Sequence, residues 1–206
     1  MVNKKGIFIT FEGGEGAGKS TQAKLLEKHL KNNGKKVLLL REPGTTAIGE
    51  KLRKIISKNT EELDPLTELF LFSAARKELI NKFINPALTK NTIVICDRYI
   101  DSTIAYQHYG RNINLKTIQS IIELTTVNLM PDLTILLDIN YKEMLKRKPN
   151  NLDYFEREDE EFHKKIQNGY NKLAKQEPKR WKKVNATLQE KEISQIIIKT
   201  VNQLEL

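Results

Sequence analysis

The chain has few of the side chains that crosslink proteins or bind metals. Cys96 is the only cysteine among 206 residues, which excludes an internal disulfide and a metal site built from several cysteines. The three histidines lie far apart, at positions 29, 108 and 163, without the spacing of metal ligands. This use of cysteine fits a reducing compartment, and we expect the protein to be cytoplasmic.

Long apolar runs, repeats and low-complexity linkers are also absent from the sequence. No apolar run approaches the roughly 20 residues that span a bilayer, so we expect no membrane partner. Residues 1–5 lead directly into a predicted strand, without an apolar stretch and cleavage site, which argues against a secretory signal. The length favours one α/β domain over residues 1–206.

Positive charge is in excess, since 35 Lys and Arg against 26 Asp and Glu give a formal net charge of +9. Such an excess suits either a nucleic acid or a small polyanionic substrate. Much of it is dispersed lysine, as in residues 24–36 and 179–183, which is typical of a solvated surface. No recognisable nucleic-acid-binding motif accompanies the charge, and we expect no nucleic-acid partner.

Short apolar runs alternate with helical patterns along the chain. The runs cover residues 7–11, 36–40, 92–96, 133–138 and, more weakly, 181–185. The first four are apolar on both faces, as in parallel strands that helices cover on two sides. The sequence therefore predicts an α/β fold with a five-stranded parallel, doubly wound sheet flanked by helices.

Two segments between the runs carry their own signals. Asp64 and Pro65 are typical of a helix start, and the helix is predicted to run to about residue 83. Asn85-Pro86 is predicted to close it. The polar segment 147–160 has little periodicity and is either a short lid or a plain surface loop.

The most specific motif is the glycine-rich run after the first predicted strand. Residues 13–20 match G-x-x-x-x-G-K-[ST], and a helical pattern follows them. An ordinary glycine-rich turn is the alternative, but these neighbours favour a loop whose backbone N–H groups bind a nucleoside triphosphate. Lys19 would reach the outer phosphates, and the Ser20 hydroxyl suits Mg²⁺. The predicted nucleotide-binding residues are Gly13, Gly14, Glu15, Gly16, Ala17, Gly18, Lys19, Ser20 and Thr21.

The third and fourth predicted strands end in acidic residues. Asp97 is placed where a phosphate-loop protein needs a second metal contact, and Arg98 would border the same crevice. A simple surface pair is the alternative interpretation of Asp97 and Arg98. For Asp138, at the end of the fourth strand, capping of the following helix is the preferred interpretation.

Four arginines are candidates for binding phosphate: Arg41, Arg53, Arg76 and Arg98. Phosphoryl transfer needs its negative charge neutralised, and planar guanidinium groups hold phosphate oxygens in pairs. Arg41 and Arg98 follow strands directly, whereas Arg53 and Arg76 lie on helical patterns, where a solvated arginine is an equally good interpretation. The number of candidate arginines exceeds what one triphosphate requires. This excess favours a kinase with a second phosphorylated substrate over a GTPase-type switch.

Taken together, these motifs resemble those of the bacterial thymidylate kinases. The matching stretches follow the family's order and span nearly the whole chain; they are residues 11–22, 41–44, 68–76, 97–102, 105–107 and 131–133. The most specific of them are Phe-Ser-Ala-Ala-Arg and Asp-Arg-Tyr-Ile-Asp-Ser. The resemblance implies the reaction ATP + dTMP ⇌ ADP + dTDP, Mg²⁺ organised by Ser20 and Asp97, and a homodimer.

The resemblance also implies roles for individual side chains. Phe72 would stack on the thymine ring, and Arg76 would hydrogen-bond the thymine edge. Arg53 and Arg98 would hold the 5′-phosphate of dTMP. The implied substrate-binding residues are Arg41, Arg53, Phe72, Arg76, Arg98, Ser102, Thr103, Tyr106 and Gln107, with Tyr106 close to the sugar. The implied catalytic residues are Lys19, Arg98, Glu15, which would approach the deoxyribose, and Arg157.

Two positions depart from the family's pattern. Thr45 stands where the family commonly has a second glycine, and because a β-branched residue resists positive φ, the turn there could differ. The phosphate loop also lacks a basic residue between its glycines. Family members whose loop lacks such a residue usually supply a catalytic arginine from the lid. In this chain Tyr154 occupies the position of that lid arginine. We predict that Arg157 replaces the missing arginine, with Arg147 and Lys148 as alternatives.

The sequence is also compatible with two other functions. One is a kinase for a different nucleoside monophosphate or for a nucleoside. The other is a phosphate-loop regulatory or nucleic-acid-binding ATPase, which the net charge of +9 suggests.

Overall fold

A five-stranded, all-parallel sheet forms the centre of the protein. The computed structural model describes residues 5–58, 61, 63–147 and 154–204. The strands are β1 (Phe8–Glu12), β2 (Val37–Arg41), β3 (Ile93–Asp97), β4 (Leu133–Asp138) and β5 (Trp181–Asn185), in the spatial order β2-β3-β1-β4-β5. The strand predictions are confirmed to within one residue at each end.

Helices cover both faces of the sheet. They are α1 (Lys19–Asn32), α2 (Ala47–Ser57), α3 (Pro65–Leu79), α4 (Asn85–Thr89), α5 (Ile100–Thr103), α6 (Leu115–Thr126), α7 (Tyr141–Lys146), α8 (Glu160–Gln176) and α9 (Glu190–Val201). Two π-helical segments, Ile80–Ile84 and Ile104–Gly110, follow α3 and α5. None of the helices in the described ranges is long and apolar enough to cross a bilayer.

The buried core has a layer on each side of the sheet. Ile9 of β1 belongs to the cluster that α1 and α9 complete, with Leu26 and Ile197 among its members. Phe8, one residue earlier, belongs to the opposite cluster with Leu79 and the residues after α3. Successive residues of β1 therefore serve opposite layers, as the doubly wound arrangement requires.

The sheet order places the loop after β1 next to the end of β3. These two strands are neighbours, and Phe11 pairs with Asp97 in the parallel register. Because the carboxyl ends of parallel strands share one edge, the residues after Glu12 and after Asp97 meet in one crevice. The expected neighbourhood of strands one and three is thus confirmed.

The predicted end of the helix that begins at Pro65 is wrong. Asp64 does cap α3, since its Oδ1 accepts from the backbone N–H of Leu66 at 2.9 Å, but the helical path does not end at Asn85-Pro86. It continues through the π-helical segment into α4, and Pro86 lies in the first turn of α4, where a missing N–H is tolerated.

Asp138 does not cap the helix that follows β4. Asn140 caps α7 instead, and its side chain accepts from the N–H of Glu143 at 3.0 Å. Asp138 accepts from Gln167 Nε2 at 3.0 Å and pairs with Lys183 at 2.8 Å, so it links β4 to α8 and β5.

Candidate active site

A cavity of about 350 Å³ opens at the carboxyl edge of the sheet. Phosphate-loop residues 15–21 and Asp97 form one part of its wall. The rest includes every predicted substrate-binding residue, namely Arg41, Arg53, Phe72, Arg76, Arg98, Ser102, Thr103, Tyr106 and Gln107. Gly13 and Gly14 line a smaller neighbouring cavity behind the loop. The structure therefore brings the two predicted halves of the site together.

The phosphate loop has the backbone that its glycines predict. Gly13 has φ 138°, and a Cβ at this position would lie 2.4 Å from the carbonyl oxygen of Leu137, so only glycine fits. Gly18, with φ 89°, forms the N-cap of α1 and leaves the first N–H groups of the helix open to an anion. Lys19 is buried, and its Nζ donates to the carbonyl oxygen of Gly14 at 2.7 Å.

Arg98 lies between the phosphate loop and the acceptor side of the cavity. Its backbone is left-handed, with φ 72°, which turns the side chain into the crevice directly after β3. The guanidinium forms an ion pair with Glu15. It also donates to the hydroxyls of Tyr106 at 3.0 Å, Ser102 at 3.1 Å and Tyr170 at 3.3 Å. These contacts fix one cation at the centre of the site.

The ion pair of Glu15 with Arg98 is charged at neutral pH. Burial by itself raises the pKa of Glu15, but the charges of Arg98 and Lys19 outweigh it and hold the pKa at about 2. Burial likewise lowers the pKa of Arg98, but Glu15 raises it well above its ordinary value. The mutual attraction therefore keeps both side chains ionised inside the cavity.

Glu12 is a buried carboxylate that the sequence interpretation missed. It ends β1, and its oxygens accept from the backbone N–H of Tyr99 at 2.8 Å, Ser102 Oγ at 2.6 Å and Tyr170 Oη at 3.1 Å. Burial, with a further contribution from Asp101, raises the pKa of Glu12 to about 7. The sequence held one signal for Glu12, since a charged residue ends an otherwise apolar strand.

Ser20 and Asp97 form the pair expected at a Mg²⁺ site. The Ser20 hydroxyl donates to Asp97 Oδ2 across the crevice, so two oxygens of the kind that Mg²⁺ prefers lie side by side. Within the described ranges, no group of three or more His, Cys, Asp or Glu side chains is arranged to hold a metal. A site of one hydroxyl and one carboxylate suits an ion that also binds substrate phosphates.

Arg76 is a buried member of the cavity wall, not a solvated arginine. It lies on α3 one turn after Phe72, with its side chain 3% exposed. Its Nε donates to Glu42 Oε2 at 2.7 Å, and its Nη1 donates to Thr103 Oγ1 at 2.8 Å. Glu42, which sequence reasoning did not single out, therefore holds the guanidinium plane in one orientation.

The turn at Thr45 keeps a positive φ despite the β-branched side chain. Thr45 has φ 66°, in the left-handed region. Its N–H donates to Glu50 Oε1 at 2.9 Å, and its hydroxyl accepts from the N–H of Arg41 at 3.2 Å. These bonds offset a conformational cost of about 1 kcal/mol for a residue other than glycine, so the loop holds the left-handed turn with a threonine.

The end of the lid segment packs over the acceptor side of the cavity. Tyr154 and Phe155 line the cavity, and the Phe155 ring lies 5.9 Å from the ring of Phe72. Arg157 is not part of the wall as far as the structure describes it. Lys148 lies outside the described residues.

Arg147 contacts the phosphate loop directly. Its Nη1 donates to the carbonyl oxygen of Gly16 at 3.3 Å, and its Nη2 donates to that of Ala186 at 2.7 Å. Arg147 is thus placed beside the loop, and the assignment of the lid role to Arg157 stays a prediction.

Comparison with known proteins agrees with this geometry. A family model described as thymidylate kinase matches residues 11–197. The chain belongs to the thymidylate kinase family. This match covers both the phosphate loop and the acceptor wall, and it confirms the resemblance that the sequence motifs carry. The chain is accordingly a kinase that phosphorylates dTMP to dTDP, with ATP as phosphoryl donor.

Several similar thymidylate kinases match along nearly their full length. One from Dehalococcoides mccartyi is 47% identical over 200 residues, which is 96% of this chain and 97% of that protein. One from Caldanaerobacter subterraneus is 41% identical over 97% of this chain and 96% of that protein. The crystal structure of thymidylate kinase from Ehrlichia chaffeensis has a TM-score of 0.78 and 34% identity, covering 95% of this chain and 98% of that one.

Proposed function

We propose that dTMP and ATP bind together in this cavity and that the γ-phosphoryl group passes in line from ATP to the 5′-phosphate of dTMP. The supporting observation is that one cavity is lined by the phosphate loop on one side and by Phe72, Arg76 and Gln107 on the other. In-line transfer needs two reactants held end to end, with charge neutralised between them. Arg98 occupies that intermediate position.

On the acceptor side, we assign the base to Phe72, Arg76 and Gln107. The ring of Phe72 would stack on thymine, while Arg76 and Gln107 would bond its edge. Glu42 fixes the orientation of Arg76. A base without a matching acceptor would therefore leave buried N–H groups of Arg76 unpaired, and this cost would disfavour its binding. Tyr106 would lie close to the sugar, where its hydroxyl is already held by Glu15 at 2.8 Å.

Arg53 and Arg98 would hold the 5′-phosphate of dTMP, and Arg41 would contribute positive charge at the rim. Arg98 is the better fixed of the first two because of its ion pair with Glu15. Arg41 pairs with Glu50 at 2.8 Å at the edge of the cavity. Glu15 is assigned a catalytic role because it would approach the deoxyribose or its bound water, and its contacts also orient Arg98 and Tyr106.

On the donor side, residues 13–21 would bind the triphosphate of ATP, with Lys19 on its outer phosphates. The loop has no arginine of its own, so a lid cation would neutralise part of the charge in the transition state. We propose Arg157 for that role. Arg147 is the competing candidate, because its guanidinium already contacts Gly16.

Ser20 and Asp97 would hold Mg²⁺. Their adjacent oxygens fit an ion that keeps several water molecules and takes the remaining ligands from phosphates. Bound there, Mg²⁺ would supply neutralisation of charge on the phosphate oxygens of ATP.

The test of the proposed function is an assay of ADP release with and without dTMP. We expect ADP release to depend on dTMP, and dUMP, dCMP and thymidine to be poorer acceptors. ADP release without dTMP, or its stimulation by DNA or RNA, would favour the ATPase alternative instead. A much better rate with dCMP would overturn the base assignment. A much better rate with thymidine, which carries the same base without a phosphate, would overturn the assignment of Arg53 and Arg98 to the 5′-phosphate.

We also propose a homodimer. Leu66 and Phe70 are exposed one turn apart on α3, and Leu124 and Val127 are exposed at the end of α6, a helix that packs against α3. Phe70 is 56% exposed and Leu124 is 77% exposed. Large apolar side chains exposed on two helices in contact favour a protein–protein interface. A monomer by light scattering at micromolar concentration would contradict this proposal.

Residues 1–206 are proposed to act as one domain, in the cytoplasm. The family match from residue 11 to residue 197 supports the first statement. Cys96 supports the second, since it is buried as a free thiol.

A further inference from the structure

Arg111 lies behind the acceptor wall and touches two carboxylates from different parts of the chain. It follows the second π-helical segment, and its side chain is 11% exposed. Its Nη2 lies 3.3 Å from Glu68 Oε2 on α3 and 2.6 Å from Glu158 Oε1 in the lid segment. Its guanidinium also lies over the ring of Phe162, 4.5 Å from the ring centre.

Glu68 connects this cation to the cavity. Its side chain is completely buried, and its Oε1 accepts from Gln107 Nε2 at 2.8 Å. Burial raises the pKa of Glu68, and the charge of Arg111 opposes that shift. Arg111 therefore favours the ionised form of a carboxyl group that would otherwise tend to hold its proton.

The protonation state of Glu68 decides what Gln107 can offer. An ionised carboxylate only accepts hydrogen bonds, so the amide must turn its NH₂ group toward Glu68. The amide oxygen is then left for a ligand in the cavity, which Gln107 lines. A protonated or amidated side chain at position 68 could donate instead, and the amide of Gln107 could turn over.

We propose that Arg111 is a positioning residue for base selection, which acts through Glu68 to make Gln107 an acceptor toward the base. The proposal rests on the assignment of Gln107 to the base pocket. Thymine carries an N–H at N3, which an amide oxygen accepts. Cytosine carries an unprotonated nitrogen at N3, which repels that oxygen. Arg111 thus contributes to the preference for dTMP over dCMP without touching the base.

The test compares the dissociation constants of dTMP and dCMP, each measured by competition with the full-length protein. Arg111→Met removes the charge and keeps much of the side-chain length. Glu68→Gln removes the constraint on the amide and leaves Arg111 in place. We expect each variant to lower the preference for dTMP over dCMP by about tenfold, the effect of one favourable hydrogen bond replaced by a mismatch. Arg111→Lys, which restores the positive charge, should keep most of the preference.

Arg180→Met is the matched control. Arg180 is 10% exposed and pairs with buried Asp101 at 2.7 Å, so its loss disturbs a comparable buried ion pair away from the cavity wall. We expect it to leave the preference unchanged, whatever it does to stability. Because a merely structural loss would weaken both ligands alike, the ratio separates positioning from unfolding.

The outcomes are distinguishable. If Arg111→Met does not fold, Glu68→Gln and Arg111→Lys decide the question. Suppose that Gln107→Leu lowers the preference for dTMP over dCMP. A folded Arg111→Met or Glu68→Gln variant whose preference stays within about twofold of the wild type would then overturn the inference. An unchanged preference in Gln107→Leu would overturn the base-pocket assignment, and the inference with it.

Discussion

The hydroxyl of Ser102, a residue that lines the active-site cavity, donates to Glu12 Oε2 at 2.6 Å. The same hydroxyl accepts from Arg98 Nη1 at 3.1 Å. Glu12 therefore reaches the central arginine of the site through one intervening oxygen.

The first prediction concerns the pH dependence of stability. The pKa of Glu12 is raised from 4.5 to about 7 in the folded protein, mainly by burial. Between these values the folded state holds a proton that the unfolded state has released, so the contribution of Glu12 to stability falls as the pH rises from 4.5 through 7. We expect Glu12→Gln to lose this component, so that its free energy of unfolding declines less than that of the wild type between pH 5 and pH 8.

Urea unfolding of both proteins at several pH values measures this difference. The carboxyl groups that do not interact with Glu12 contribute equally to both proteins, whereas Asp101, which helps to raise the pKa of Glu12, is part of the measured difference. Parallel curves for the wild type and Glu12→Gln would contradict the raised pKa of Glu12.

The second prediction concerns Phe72. Phe72→Ala should raise the KM for dTMP by about 10- to 100-fold, because stacking of a base on an aromatic ring contributes about 1–3 kcal/mol. The KM for ATP should change little, since Phe72 lies on the acceptor side. Phe72→Tyr is the control and should retain most of the affinity. Equal losses for dTMP and ATP would point to a general collapse of the cavity.

The third prediction concerns the lid cation. Arg157→Ala should lower kcat by at least about 100-fold, as expected for a group that neutralises transition-state charge. The KM for dTMP should change much less. Steady-state kinetics of Arg157→Ala and Arg147→Ala decide between the candidates. Unchanged turnover in Arg157→Ala beside abolished turnover in Arg147→Ala would show that the assignment is wrong.

The fourth prediction concerns metal dependence. Chelation of divalent ions with EDTA should abolish turnover, and added Mg²⁺ should restore it. Asp97→Asn should raise the Mg²⁺ concentration needed for half-maximal activity by at least about tenfold, because the site loses its only carboxylate among the described residues that form it. The affinity for dTMP without Mg²⁺ should be unchanged. An unaltered Mg²⁺ requirement in Asp97→Asn would exclude this site.

Local sequence patterns were sufficient to predict the sheet and the phosphate loop. The apolar runs placed the first four strands, because the buried strands of a parallel sheet are apolar on both faces. The run at β5 was a weaker signal, since only Trp181 and Val184 of this strand are buried. The glycines of residues 13–18 indicated the loop because positive φ and close backbone approach need them.

The supporting carboxylates were not predictable in the same way. Glu12, Glu42 and Glu68 are each buried against partners 34 to 158 residues away in the chain, as with Arg76 and Glu42 or Tyr170 and Glu12. Nothing in the local pattern distinguishes such an acid from a solvated one. The π-helical segment before Pro86 was missed for a different reason. The residue before a proline usually marks a helix end, whereas here the helical path continues through it.

We propose that one cavity holds both nucleotides with Arg98 between their phosphates. A crystal structure with dTMP, Mg²⁺ and a non-hydrolysable ATP analogue tests it most directly. We expect the thymine ring on Phe72, the 5′-phosphate on Arg98, and the triphosphate on residues 13–21. A dTMP molecule bound away from Phe72, or phosphates of the two nucleotides too far apart for direct transfer, would overturn this arrangement of the site.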